Sequence, residues 1–243
     1  MRNSPLSLTT AIREWWADSR QHRSMLQTTR LFVNAVFGFL RDSTPARERQ
    51  RYGDMEYDWE HNVNTMSAAV GWRDRLLGVF HSPYQPTDAE LFREMMDALN
   101  LDSSRFTFVD LGSGKGRTLL MASEYPFRRI VGVELLPELN SLAQKNIAAF
   151  KSDAQRCFAL ESVCSDAREY EFPAEPLLVY LFNPLLETGL RQVVANLERW
   201  FEELPRAVVV LYHNALLENV IAASPMFKKI TGTHQYSVYR TVS

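Results

Sequence analysis

The sequence predicts an α/β fold built on a doubly wound, largely parallel sheet. Three observations carry this. First, short runs rich in β-branched and aromatic residues recur from residue 106 onward: FTFVDL at 106–111, RIVGVEL at 129–135, CFALESV at 157–163, LLVYLF at 177–182 and AVVVLY at 207–212. Second, helix-compatible stretches at about 115–125, 137–151 and 186–203 fall between them. Strand–helix alternation of this kind calls for parallel strands with helices on both faces. Third, the last forty residues break the alternation. FKKIT and QYSVYRTV are separated by Gly232, Thr233 and His234, which leaves no room for a helix. Those two runs should form an antiparallel hairpin at the sheet edge.

Composition fits such a fold. Of 243 residues, 46% are hydrophobic and 23% charged, too apolar for a disordered chain and enough for one core with an appendage. No stretch exceeds twelve residues without Asp, Glu, Lys or Arg, as between Leu76 and Thr87. A membrane-crossing helix of roughly 20 apolar residues is therefore not expected, and the start, MRNSPLSLTTAIREWW, lacks a secretory apolar run. Cys157 and Cys164 are too few for a disulfide framework and fit no metal or redox spacing, so both read as reduced thiols of a cytoplasmic protein.

Charge is uneven. Residues 1–52 hold nine arginines and no lysine against four acids, a net +5, whereas the whole chain is −2 and the remainder −7. Such an arm is either a solvated helical extension or a contact for nucleic acid, acidic lipid or an acidic partner. The overall acidity argues against a dedicated duplex-binding protein.

Taken in order, the chain opens with a helix capped by Thr9 or Thr10 and carrying Ile12, Trp15 and Trp16. A second helix covers 24–41. Its apolar residues, among them Phe32, Val33, Val36, Phe37 and Phe39, wrap most of the circumference, so it must be buried or meet another surface. Residues 42–62 are polar and read as a linker or mobile lid. The N-terminal unit is thus 1–83 and the main domain 84–243. Thr87 and Glu90 form a capping-box pair opening a helix with Leu91, Met95 and Leu99 on one face.

The most informative stretch is DLGSGKGR, 110–117, which closes the first strand and opens a helix. Alternate glycines permit a tight turn and close approach of backbone to a ligand, and a helix start offers amide donors. A phosphate-binding loop would need Gly at 109 and Ser or Thr at 116, where Val109 and Gly116 stand. A dinucleotide turn would need glycine at 117, where Arg117 stands. A further acid, Glu134, ends the second strand 22 residues after Gly112, near the interval at which an acid meets ribose hydroxyls in folds of this type.

An acid two residues before GxGxG resembles the first motif of class I S-adenosylmethionine-dependent methyltransferases. The resemblance covers 84–243. It implies a Rossmann-like sheet of order 3-2-1-4-5-7-6 with strand 7 antiparallel, behind an N-terminal helical extension. It also implies S-adenosylmethionine as cofactor, held by Asp110, Gly112, Ser113, Gly114 and Gly116 at the turn. Glu134 and Leu135 would serve the ribose side, and Asp166 and Ala167 the adenine side. The element SPYQPT before the domain, with DLGSGKGR, is similar to the seven-strand protein lysine methyltransferases. On that likeness Tyr84 and Thr87 would help close the cofactor site.

Acceptor residues are expected beyond the ends of strands four and five. Asn183 in FNPLL is a candidate to accept a hydrogen bond from an amine and to border the cofactor, although Leu185 and Leu186 replace the Pro and aromatic of NPPY-type amino-group enzymes. His213 is a candidate base or orienting group, and Tyr84 a third acceptor-side candidate. The expected activity is methyl transfer to a protein lysine or small molecule. Alternatives are RNA methylation, with the arginine arm as anchor, or a cofactor-binding partner subunit without catalysis. No metal site is expected.

Overall fold

The computed structural model describes residues 7–42, 55–66 and 85–242. Tyr84, and most of the stretch joining the two units, lie outside those residues.

The described elements follow the expected alternation. The strands are β1 (Thr107–Leu111), β2 (Arg129–Glu134), β3 (Leu160–Cys164), β4 (Leu177–Leu181), β5 (Val208–His213), β6 (Phe227–Gly232) and β7 (Tyr236–Thr241). They form one seven-stranded sheet of order β3-β2-β1-β4-β5-β7-β6, as the resemblance implies. β1 to β5 pair in parallel, and β7 runs antiparallel between β5 and β6. Helices α1 (Leu8–His22), α2 (Met25–Asp42) and α3 (Met55–His61) precede the sheet. Helices α4 (Ala89–Ala98), α5 (Arg117–Ala122), α6 (Pro137–Ala149), α7 (Glu187–Glu203) and α8 (Glu218–Ala222) accompany it.

Side-chain alternation along the strands sorts the core into two layers. Val109, Leu111, Val179, Leu181, Val208 and Val210 face α7 and α8, where Leu190, Val193, Val194, Leu197 and Trp200 repeat at helical spacing. Phe108, Leu178, Tyr180, Val209 and Leu211 face α4 and α5. Both faces of β1, β4 and β5 are buried, which is why these strands read as continuous apolar runs. Asp110 and His213 interrupt the layer facing α4 and α5, each near the carboxyl end of its strand.

Three local expectations change. Ser7, not Thr9 or Thr10, caps α1, its Oγ accepting from Thr10 N at 3.1 Å. Asp88 caps α4 by accepting from Leu91 N at 2.9 Å, because Thr87 turns inward instead of forming the capping box. Residues 55–61 of the expected linker are helical.

α1 lies over the carboxyl edge of the sheet. Its Glu14 pairs with Arg168 at 3.3 Å, beyond β3, and its Asp18 accepts from Thr188 N at 3.2 Å, beyond β4. Trp15 and Ile12 pack with Ala11, Leu136 and the α2 residues Phe32 and Val36. The other side of α2 is open: Val33 is 58% and Phe37 68% exposed. The circumferential apolarity of α2 is thus only half used by packing on α1.

Candidate functional site

The glycine turn follows β1 and has three successive alternate residues in the left-handed region: Gly112 at φ 85°, Gly114 at 56° and Gly116 at 82°. Side chains rarely adopt such angles. Space is limiting as well. A Cβ on Gly112 would stand 2.5 Å from Pro184 Cβ, and one on Gly116 3.2 Å from Ala143 Cβ. Gly132, opposite Asp110 on β2, makes room for Ser113, whose Oγ would lie 2.6 Å from a Cβ there. That Oγ is buried without a hydrogen-bond partner among the described residues.

The turn spends several of its amides internally. Gly112 N and Ser113 N donate to Val133 O at 2.8 and 3.1 Å, and Gly116 N to Ser113 O at 2.8 Å. Gly114 N donates to Glu134 Oε2 at 2.8 Å. Glu134 Oε1 accepts from Leu136 N at 2.8 Å. The acid expected to meet ribose is therefore buried and clamps the turn to the end of β2.

Asp110 is 2% exposed, and among the described residues no cation pairs with it. Burial, reinforced by the nearby Glu134 charge, pushes its carboxyl up to about 7, against the opposing hydrogen bond donated by Thr118 Oγ1. A buried acid with an open demand for positive charge suits a ligand ammonium. The Gly112–Gly116 cradle and the orphaned Ser113 hydroxyl are consistent with a ligand carrying that ammonium on a small amino-acid moiety.

Asp166, expected on the adenine side, lies just past β3. Arg168 holds it through a fork, Nη2 to Oδ2 at 2.6 Å and Nε to both oxygens at 2.9 and 3.0 Å. Arg168 also reaches Glu14, so this acid is joined to α1. Ala167 is buried in the core layer facing α7, and Leu135 follows Glu134 directly.

On the acceptor side, Asn183 adopts φ 46° at the end of β4. Its Oδ1 accepts from Tyr212 OH at 2.8 Å, and its Nδ2 donates to Asn214 O at 2.6 Å. It therefore ties β4 to the loop after β5. His213 is 6% exposed, stacks on Phe182 with centroids 3.8 Å apart, and places Nδ1 2.8 Å from Tyr180 OH. Tyr180 OH in turn lies 2.9 Å from Thr87 Oγ1. Burial lowers His213 to about 4 and raises Tyr180 well above its ordinary range. At neutral pH His213 is thus an uncharged, poorly basic ring. Thr87 reaches this network rather than the turn.

Sequence reading missed Lys115, Arg117 and Asp58. Lys115 is fully buried, and its Nζ donates to Met66 O and, at 3.2 Å, to Asn64 Oδ1. Burial lowers it to about 8, opposed by Asp58. Arg117 donates Nε to Thr87 O at 2.9 Å and Nη1 to Thr65 Oγ1 at 3.0 Å. It also lies 3.6 Å from Asp58 and 4.2 Å above the Tyr57 ring. Tyr57, His61 and Phe150 continue the stack, and Asn146 bridges Asn64 and Lys115 O. The two cations of DLGSGKGR thus fasten 55–66 over the turn. A large residue at 117 was the signal: it excluded a dinucleotide turn and required a buried partner elsewhere.

Comparison with known proteins finds similarities over part of the chain. The family model "Histone methylation protein DOT1" matches residues 81–171, from before α4 to beyond Asp166. No curated protein matches the chain. Among solved structures, an RNA methyltransferase from Salinibacter ruber in complex with S-adenosyl-L-homocysteine is similar at 23% identity and TM-score 0.44, over 65% of this chain and 92% of its own. The PH0226 protein of Pyrococcus horikoshii OT3 is similar at 15% identity and TM-score 0.47, over 63% and 91%. A ribosomal protein L11 methylase from Lactobacillus delbrueckii subsp. bulgaricus is similar at 14% identity and TM-score 0.43, over 63% and 75%. With its strand order, its glycine turn and its DOT1-like segment, the chain has the fold of the class I, seven-strand methyltransferases.

Proposed function

We propose that the protein is an S-adenosylmethionine-dependent methyltransferase whose acceptor is a protein lysine or a small molecule. The observation that carries this reading is Asp110, a buried acid that pairs with no cation among the described residues, set beside a glycine turn that Glu134 holds in shape. S-adenosylmethionine supplies a methyl group on a positively charged sulfonium, reactive enough that positioning the acceptor is the main task. Asp110 binds the ammonium of the methionine moiety. Gly112 and Gly114 let the backbone approach it, Glu134 and Leu135 border the ribose, and Asp166 and Ala167 border the adenine. Asn183 and His213 shape the acceptor side by position: the Asn183 amide is braced by Tyr212, and a neutral His213 orients without taking up charge. Tyr84 would help close the site from the preceding segment, and Thr87 acts on the acceptor side through Tyr180.

The DOT1 likeness supports a protein lysine acceptor, and it covers the turn, Glu134 and Asp166 while ending before Asn183. The free thiols Cys157 and Cys164 suit a cytoplasmic setting. Among the described residues no helix is long and apolar enough to cross a membrane. The test is incubation of the full chain with methyl-labelled S-adenosylmethionine and cell protein, RNA and metabolite fractions. Label on lysine or a metabolite is the expected result. Label in RNA would overturn the acceptor, and cofactor binding with no transfer to any fraction would make the protein a binding subunit.

A further inference from the structure

The outer surface of the α1–α2 hairpin combines two features that its packing leaves unused. The first is an apolar stripe. Leu26, Val33 and Phe37 recur at spacings of seven and four on α2, which puts them on one side of the helix. They are 85%, 58% and 68% exposed. The opposite side, with Thr28, Phe32 and Val36, is the one packed toward α1. The second feature is charge. The acids of α1, Glu14 and Asp18, are turned to the sheet edge, where they meet Arg168 and Thr188 N. Arg13 and Arg20, seven residues apart, occupy the other side of α1, and Arg23, which ends α1, and Arg30, in the second turn of α2, are exposed as well. Every charged side chain described as exposed on this hairpin is therefore an arginine.

We infer that this face docks on an anionic lipid surface. Aliphatic and aromatic side chains flanked by arginines suit a bilayer interface, where the former enter the acyl boundary and the latter meet negative headgroups. A polynucleotide offers phosphates to the arginines but no use for Leu26 and Val33. A second copy would bring two positive faces together, which like charge opposes. Docked in this way, the protein turns the far side of its N-terminal helices to the membrane and the carboxyl edge of the sheet sits directly behind them. The inference is independent of the methyl-transfer reading.

The experiment is co-sedimentation of the full chain with vesicles of phosphatidylcholine alone and with about 30% phosphatidylserine, a surface of the kind basic segments recognise. Binding to the anionic vesicles, weakened by salt and absent from neutral ones, is expected. The pair Val33→Ser and Phe37→Ser should weaken it about tenfold or more. Arg20→Glu and Arg30→Glu should each weaken it about fivefold or more. These side chains are exposed, so thermal melting should confirm that each variant remains folded. Absence of wild-type binding, or binding indifferent to Val33 and Phe37, overturns the proposal. A dimer in sedimentation that Phe37→Ser dissolves, without vesicle binding, would assign the stripe to self-association. RNA binding that depends on the arginines, without vesicle binding, would assign the face to nucleic acid.

Discussion

Glu134 Oε2 accepts a 2.8 Å hydrogen bond from the amide of Gly114, twenty residues earlier in the chain. The second oxygen accepts from Leu136 N at the same distance. One carboxylate thus fixes both the glycine turn and the entry to α6, so its loss should be felt without any ligand. Glu134→Ala leaves two backbone donors without their acceptor, and hydrogen bonds to charged groups contribute about 1.5–3 kcal/mol each. The ligand-free melting temperature should fall, by about 2–4 °C per kcal/mol for a chain of this size. S-adenosylmethionine affinity, measured by calorimetry, should fall with it. A variant that melts like the wild type yet loses affinity would show that the clamp contributes nothing to the fold and that Glu134 serves the ligand alone.

Gly112 links the turn to the loop after β4. Alanine there would have to hold φ at 85° and place its Cβ 2.5 Å from Pro184 Cβ. Backbone strain of this kind costs about 1–3 kcal/mol, and the overlap must also displace Pro184 and with it Asn183. Gly112→Ala should therefore lower denaturant stability and impair acceptor methylation more than cofactor binding. Gly38, where an added Cβ meets nothing within 4 Å, is the control expected to stay near wild type. Equal stability of the two alanine variants would remove the steric coupling.

The strand order and the glycine turn were legible because each has a local signature. Fully buried parallel strands read as apolar runs, and residues forced to positive φ read as glycine. Helix starts were less legible. Thr87 has the chemistry of a cap, but Tyr180, far away in sequence, competes for its hydroxyl and Asp88 takes the cap instead. The 55–66 segment was illegible for a related reason. Its polar residues Asp58, Asn64 and Thr65 look like a solvated linker until Arg117 and Lys115 arrive from the turn to pair with them. Asn183 reads as special in the sequence, yet the partners that fix its amide are Tyr212 on β5 and Asn214 in the loop after it.

Asp110 should set opposing pH trends for stability and binding. Its folded value of about 7 exceeds the ordinary 3.8, so the native state holds the proton more tightly than the unfolded chain. Stability from this group is therefore largest below about 4 and is lost as pH rises toward 7, at up to about 1.4 kcal/mol per unit. Asparagine is neutral throughout and can still accept from Thr118. Without ligand, Asp110→Asn should melt higher than wild type at pH 8, and the gap should shrink at pH 5. Binding should go the other way, because only the ionised acid attracts an ammonium: the variant should bind S-adenosylmethionine far more weakly at pH 8. Parallel melting curves and titrations at both pH values check this. A variant less stable than wild type at pH 8 would mean that Asp110 already has a compensating positive partner.

Arg117 is the strongest test of how 55–66 is held. Its guanidinium, 2% exposed, spans Thr87 O, Thr65 Oγ1 and Asp58 and covers the Tyr57 ring. Asp58, 8% exposed, also accepts from Thr65 N at 2.7 Å and Met66 N at 3.1 Å, so it stays fixed if the arginine leaves. Arg117→Met keeps much of the volume but strands that carboxylate, and breaking a buried pair from one side costs about 3–5 kcal/mol. Arg117→Lys keeps the charge, but a compact ammonium cannot reach three acceptors while stacking on a ring, so it should fall between the two. Adding Asp58→Asn to Arg117→Met should recover part of the loss by removing the stranded charge. Denaturant unfolding measures the order, and limited proteolysis across 55–66 should become faster in step with it. A methionine variant as stable and as protease-resistant as wild type would mean that Lys115, through Asn64 and Met66, fastens the segment without help from Arg117.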